Sequence, residues 1–349
     1  MRLLSRHSNT VAAGTGTDAD SRHTRERPGF QAWALTGLLG AAIVLGSGLG
    51  ASAPAIGQRL GGWTDGTLLF LMCLLLLEVR LGDLRRWRAA PRFLLVAWTA
   101  NFVAIPLVGF AIASLFLADQ PLLFAGLLIY FLAPCTDWFL GFTRLAGGNT
   151  ALGAALIPVN LVTQLVLFPM LLLFVAHTSA PFNVAAAANS VWQWFLLPAL
   201  VAAGLRVIGR WLLPPEGLAR LLRGLSASIP VVIAVLIVEI FAANIGTILG
   251  SAGAFGLILA AVVIFFVATY LLSDVVSRLA RLAYPEHALL TMTMAARNAP
   301  MMLALTMVAL PGEPLVHAAI VIGMLVEFPH LTAIRHLLLR RRAGSASRP

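Results

Sequence analysis

The stretch FLAPCTDWFLGF, residues 131–142, lies inside a long apolar run yet brings together a proline, a cysteine, a threonine and an aspartate. If the run crosses a bilayer, a carboxylate near its middle costs ~2.5–3.5 kcal/mol on insertion scales. Asp137 therefore requires a partner or a task, and the sequence around it indicates which.

The membrane premise follows from composition. Hydrophobic residues make up 60% of the 349-residue chain and charged residues 11%, and the mean hydropathy is +0.91. A soluble domain is about 25% charged. Apolar runs of roughly 20 residues, long enough to cross ~30 Å of hydrocarbon, recur near 31–50, 63–82, 92–117, 121–143, 151–176, 188–209, 228–249, 252–273, 287–310 and 314–338. These ten windows predict an all-α integral membrane protein. Residues 1–30 form a polar, arginine-bearing segment without a small-residue cleavage site, which reads as a disordered cytoplasmic tail.

All 24 basic residues are arginines. They sit between apolar spans and not on a folded basic surface interleaved with aromatics, so no nucleic-acid partner is expected. Arg85, Arg86, Arg88 and Arg92 follow the second window, Arg144 the fourth, Arg206, Arg210, Arg220 and Arg223 the sixth, and Arg278 and Arg281 the eighth. The tail at 339–349 adds Arg340, Arg341, Arg342 and Arg348, whereas the alternate loops hold only Arg59. By the positive-inside rule both termini face the cytoplasm, as expected of a multi-pass protein of the cell inner (plasma) membrane.

The two halves echo each other. VLFPML (166–171) ends the fifth window and VEFPHL (326–331) lies in the tenth; one span earlier come APCTD (133–137) and ARNAP (296–300). Five spans per copy is an odd number, so the second copy must be inverted, giving repeats over 31–177 and 188–338. Inverted repeats with corresponding spans interrupted by proline point to a secondary transporter whose site lies at the breaks. Pro134 and Pro300 are the predicted breaks, because proline removes a backbone donor and clashes with the preceding turn.

Asp137 and Arg297 are the charges closest to these breaks. They read either as a pair that fixes helix register or as a working set, in which Asp137 takes up a proton or cation and Arg297 holds the place a cation would otherwise fill. Arginine does not deprotonate in proteins, so Arg297 is not the proton carrier. Thr136, Asn160, Thr163, Gln164 and Asn298 supply neutral oxygens and amides near the same level, with Asn160 and Thr163 on one helical face. Such residues serve as inter-helix glue or, clustered at two breaks, as a site lining. Cys135 is either a small buried residue or a transient ligand for a soft metal or metalloid. Glu239 and Glu327 are mid-span acids with relay and structural readings both open. No zinc-type H-x-x-x-H pair, G-x-S-x-G elbow or P-loop occurs, so neither enzymatic chemistry nor a cofactor is expected.

On APCT at 133–136, GGNTAL at 147–152, VNLVTQLVLFP at 159–169 and IGMLVEFP at 322–329, the chain resembles the bile acid:sodium symporter superfamily, and within it the arsenical-resistance (arsenite efflux) carriers. The resemblance implies ten spans, a panel of spans 1, 2, 6 and 7, and a core in which broken spans 4 and 9 cross. It also implies that Cys135 handles trivalent arsenic, as a transient metalloid contact. The chain departs from those carriers at ARNAPMM (296–302), which lacks the family's span 9 acid, and at Asp137, where an uncharged residue is usual. The sodium symporters rely on that span 9 glutamate for sodium, so its absence argues for a coupling proton over sodium. The expected function is arsenite or antimonite export in exchange for protons. The alternative is a carrier of an organic anion, sodium- or proton-coupled, in which Arg297 binds a carboxylate.

Overall fold

A computed structural model describes residues 28–78, 90–136, 138–179 and 184–346. Among them the chain is helical throughout, in the order α1 (Pro28–Ser52), α2 (Pro54–Gly61), α3 (Thr64–Glu78), α4 (Pro91–Thr99), α5 (Ile105–Leu117), α6 (Pro121–Leu132), α7 (Trp138–Leu145), α8 (Thr150–Ser179), α9 (Val184–Leu212), α10 (Pro215–Gly250), α11 (Ala252–Leu279), α12 (Tyr284–Ala295), α13 (Ala299–Ala309) and α14 (Pro314–Ala346). A π-helical stretch, Ala100–Ala104, joins α4 to α5. Six helices among the described residues are long and apolar enough to cross a membrane, and the bent pair α2–α3 makes a seventh, with a 43° angle between its members. Large apolar side chains cover the outside: Val44, Leu115, Val166 and Leu279 are all exposed. So much outward apolar surface fits lipid and not water. This is a multi-pass membrane protein.

The polar tail expected over 1–30 lies almost wholly outside the described residues, although helix α1 already begins at Pro28. Between the sixth and seventh windows the sequence suggested a loop, whereas α10 starts at Pro215 and continues to Gly250. Proline at its first turn supplies a fixed φ at a position where the missing N–H leaves no bond unmade. Leu218, Leu221, Leu222 and Leu225 then repeat at helical spacing. Near its other end α10 is kinked at Asn244 (φ −124°, ψ 16°), whose side-chain amide donates to Ile240 O at 2.9 Å.

Two packing arrangements frame the interior. Helices α1 and α2 lie against α10 through glycines: a Cβ at Gly46 of α1 would meet Val238 O at 2.7 Å, and one at Gly50 of α1 or Gly57 of α2 would collide with Ala242 O. Helix α6 lies against α14 in the same way, with Gly126 facing Val316 O and Ala319, and Gly323 facing the Tyr130 ring. Small residues let membrane helices approach closely when no hydrophobic effect drives them together.

Candidate functional site

Helix α6 stops at Leu132, and Ala133 is extended (φ −100°, ψ 107°). Helix α12 stops at Ala295, and Ala296 is extended (φ −73°, ψ 136°). The two non-helical segments meet: an antiparallel bridge pairs Pro134 with Arg297. The Cys135 N–H donates to Ala296 O (3.1 Å) and the Asn298 N–H to Ala133 O (2.9 Å). Backbone groups released by the breaks thus satisfy one another, as they must in a medium without water. Pro300 stands in the first turn of α13, where its missing N–H costs nothing.

Arg297 is the largest fully buried side chain, at 0% exposure. Its Nη1 donates to Phe131 O at 2.8 Å, and its Nη2 to Thr293 O at 3.0 Å and Met294 O at 2.6 Å. Those carbonyls belong to the last turns of α6 and α12, where intrahelical partners run out and the helix dipole is negative. One guanidinium therefore closes the C-terminal ends of both half-helices. Its Cζ also lies 5.7 Å from the centre of the Phe265 ring, which is stacked on Phe131 at 4.0 Å.

Glu327, on α14, is 1% exposed. Its Oε1 accepts the Arg297 backbone N–H at 2.9 Å, and its Oε2 accepts the Tyr130 hydroxyl at 3.2 Å. Cys135 is wholly buried between these groups. Thr136 Oγ1 accepts from Asn298 Nδ2 at 3.2 Å. Asp137 lies outside the described residues, so its expected pairing with Arg297 has no geometry here.

Glu239, the other mid-span acid, lies apart on α10, where its Oε1 accepts the Thr67 hydroxyl at 2.8 Å; the remaining predicted residues sit on α8. Gln164 Nε2 contacts Met301 Sδ at 3.6 Å, which brings it to α13. Thr163 Oγ1 accepts from Trp98 Nε1 at 3.1 Å. Asn160 is wholly buried, and neither amide atom has a partner among the described residues. Unpaired buried amides cost about 1–3 kcal/mol each, so this face of α8 stores capacity for a polar guest. Asn101, which sequence reasoning passed over, belongs with it: its Nδ2 donates to Thr293 Oγ1 at 3.1 Å, while its Oδ1 is unpartnered. A lone asparagine in an apolar span was its only signal, and the π-helical turn that turns it inward has none. Tyr130 was missed for a similar reason, since an aromatic in an apolar helix reads as packing.

Two spaces adjoin the crossing, and a third lies farther along α13. A cavity of about 360 Å³ between α5, α6, α8 and α13 has Phe102, Pro106, Ala133, Gln164, Phe168 and Met302 on its walls. A space of about 10 Å³, room for about one water, lies beside Arg297, Pro300 and Glu327, against Leu39 of α1 and Ile233 of α10. A more polar cavity of about 170 Å³ separates α3 and α10 from α13 and α14, with Asp65, Asn244 and His317 on its walls. Among the described residues no group of three or more His, Cys, Asp or Glu side chains is placed to hold a metal ion.

A family model described as the sodium bile acid symporter family matches residues 67–275. The chain belongs to that family. The matched stretch of this symporter family includes the first break and ends before the second. The arsenical-resistance protein Acr3 of Corynebacterium glutamicum is 26% identical to the chain over 317 residues, covering 85% of this chain and 86% of that protein. A probable sodium/metabolite cotransporter of Oryza sativa subsp. japonica, the chloroplastic BASS2, is 28% identical over 172 residues, covering 48% of this chain and 40% of that protein. The family is one of transporters, so the two crossed breaks and the buried charge between them sit in a transport protein.

Proposed function

We propose that this symporter-family protein is a secondary carrier that exports arsenite or antimonite in exchange for protons. The observation that carries the reading is Cys135, buried in the first break and held by its backbone to the second. Similarity to an arsenical-resistance protein over most of both chains supports it. A single thiol forms one bond to a soft trivalent metalloid and releases it, whereas several would trap it. Thr136, Asn160, Thr163, Gln164 and Asn298 line the path for the hydroxyls of a neutral, hydrated oxide. Asp137 takes the role of proton site, with Glu327 as a second acid held at the Arg297 backbone.

The same reading places the site where two inverted five-span repeats, 31–177 and 188–338, bring broken spans 4 and 9 together. Both termini face the cytoplasm of a cell inner membrane, flanked by the polar stretches 1–30 and 339–349. The organic-anion alternative draws support from the cotransporter similarity. It draws less from Arg297, whose Nη1 and Nη2 are already given to three backbone carbonyls. Its Nε, however, has no partner among the described residues and offers a carboxylate an approach that leaves those carbonyls in place.

The test is growth of an arsenite-sensitive host carrying the intact chain or Cys135→Ser, with membrane levels matched. Resistance is expected from the first and its loss from the second. No gain from the intact protein would sink the arsenite reading. In everted vesicles, arsenite uptake driven by a sodium gradient and not by a proton gradient would overturn the coupling.

A further inference from the structure

We propose that the carbonyls of Phe131, Thr293 and Met294 form a monovalent-cation site whose occupant in this chain is covalently attached. It deepens the proposed function at the same crossing, rests on that function only for the matter of coupling, and concerns a site that exists whatever solute is carried.

Three carbonyl oxygens from the last turns of two different half-helices accept from one planar cation, Phe131 O from Nη1 and Thr293 O and Met294 O from Nη2, at 2.6–3.0 Å. Each is a group with no remaining helical partner, and each adds a negative helix end. An aromatic face completes the shell at 5.7 Å. Unwound carbonyls and half-helix C-terminal ends are the groups that hold small cations in transporters built on broken helices. Here the cation arrives as a side chain.

The shell does not depend on the side chain that fills it. The bridge between Pro134 and Arg297, the Cys135 and Asn298 amide bonds, and the bond from the Arg297 N–H to Glu327 all use backbone atoms of the second break. Truncating Arg297 at Cβ leaves every one of them possible. The same truncation leaves three buried carbonyls with no donor, in a medium with little water to replace it. The vacated volume has the size of a guanidinium, and the one-water space beside Arg297 and Glu327 gives it an opening toward the seam with α1 and α10. Arg297→Ala should therefore accept free guanidinium, and sodium as a smaller substitute, where the intact protein accepts neither.

The experiment follows thermal unfolding of purified full-length protein in detergent, at constant ionic strength, with millimolar guanidinium, sodium or choline chloride. Guanidinium is expected to raise the midpoint of Arg297→Ala saturably, by about 2–4 °C at ten times its dissociation constant. Sodium should act in the same direction at higher concentration, and choline should do nothing. The intact protein should respond to none of the three. A saturable response of the intact protein to sodium overturns the proposal, as does an Arg297→Ala variant that treats guanidinium and choline alike. If Arg297→Ala cannot be isolated in plain buffer, recovery of monodisperse protein from membranes extracted with guanidinium but not choline reads the same site; recovery in neither overturns it. No transport enters the readout, so loss of the arsenite reading leaves this result standing, and the reverse also holds.

Discussion

Arginine closes helix ends in two settings in this molecule. At the rim, Arg335 Nε donates to Leu145 O at 3.3 Å, Arg92 Nη2 to Ala280 O at 3.2 Å, and Arg206 to Leu77 O. In the interior, Arg297 does the same for α6 and α12 at once. The chemistry is shared, a guanidinium on orphan carbonyls at a negative helix end. The surroundings differ. At the rim, water and headgroups stand ready to replace a lost donor; at the crossing, little can. The rim arginines therefore adjust stability by small amounts, whereas losing the Arg297 side chain would leave three buried carbonyls without their donor.

The contrast can be broken most directly at Arg297. Arg297→Leu strips three buried carbonyls of their donor and should cost several kcal/mol, since each unsatisfied buried polar group costs about 1–3 kcal/mol. It should show as loss of folded protein in the membrane or a strongly lowered melting midpoint. If Arg297→Leu melts with Arg335→Leu, burial is not what separates the two settings. Next in size is Gly323→Ala, whose added Cβ would stand 2.8 Å from the Tyr130 ring. Overpacking of this kind costs about 1–3 kcal/mol. Because the ring carries the hydroxyl that reaches Glu327, arsenite resistance should fall along with thermal stability. Tyr130→Phe sharpens the point: it keeps the ring, removes one hydrogen bond of about 1 kcal/mol, and should alter transport more than melting. Smallest is Arg335→Ala, expected to lower the midpoint by the equivalent of less than about 1 kcal/mol. A larger loss there would mean that rim water does not substitute for the guanidinium.

The outline of the site was legible in the sequence where covalent chemistry left a mark. Prolines amid polar residues at 133–137 and 296–300 announced two interruptions, and the segments bearing Pro134 and Arg297 do meet. Arg297 was legible as a charge but not as a cap, because its partners are backbone carbonyls of Phe131, Thr293 and Met294, and any residue carries a carbonyl. Asn101 and Tyr130 went unread because their roles depend on a π-helical turn and on a hydroxyl placed by close packing of α6 on α14. The helical start of α10 at Pro215 was hidden by Arg220 and Arg223, which read as loop charges though they fall on a helix.

The glycines that set α1 and α2 against α10 have a mechanical consequence. Gly46, Gly50 and Gly57 bring the chain so close to Val238 and Ala242 that no methyl group fits between them. Such a seam has no side chains to act as bearings. Sliding one helix past the other by a single residue would drive a Cβ into a carbonyl oxygen, so α1, α2 and the middle of α10 are expected to act as one stiff plate. A carrier of the kind proposed would hinge around that plate, and the helix kink at Asn244 lies just beyond its edge.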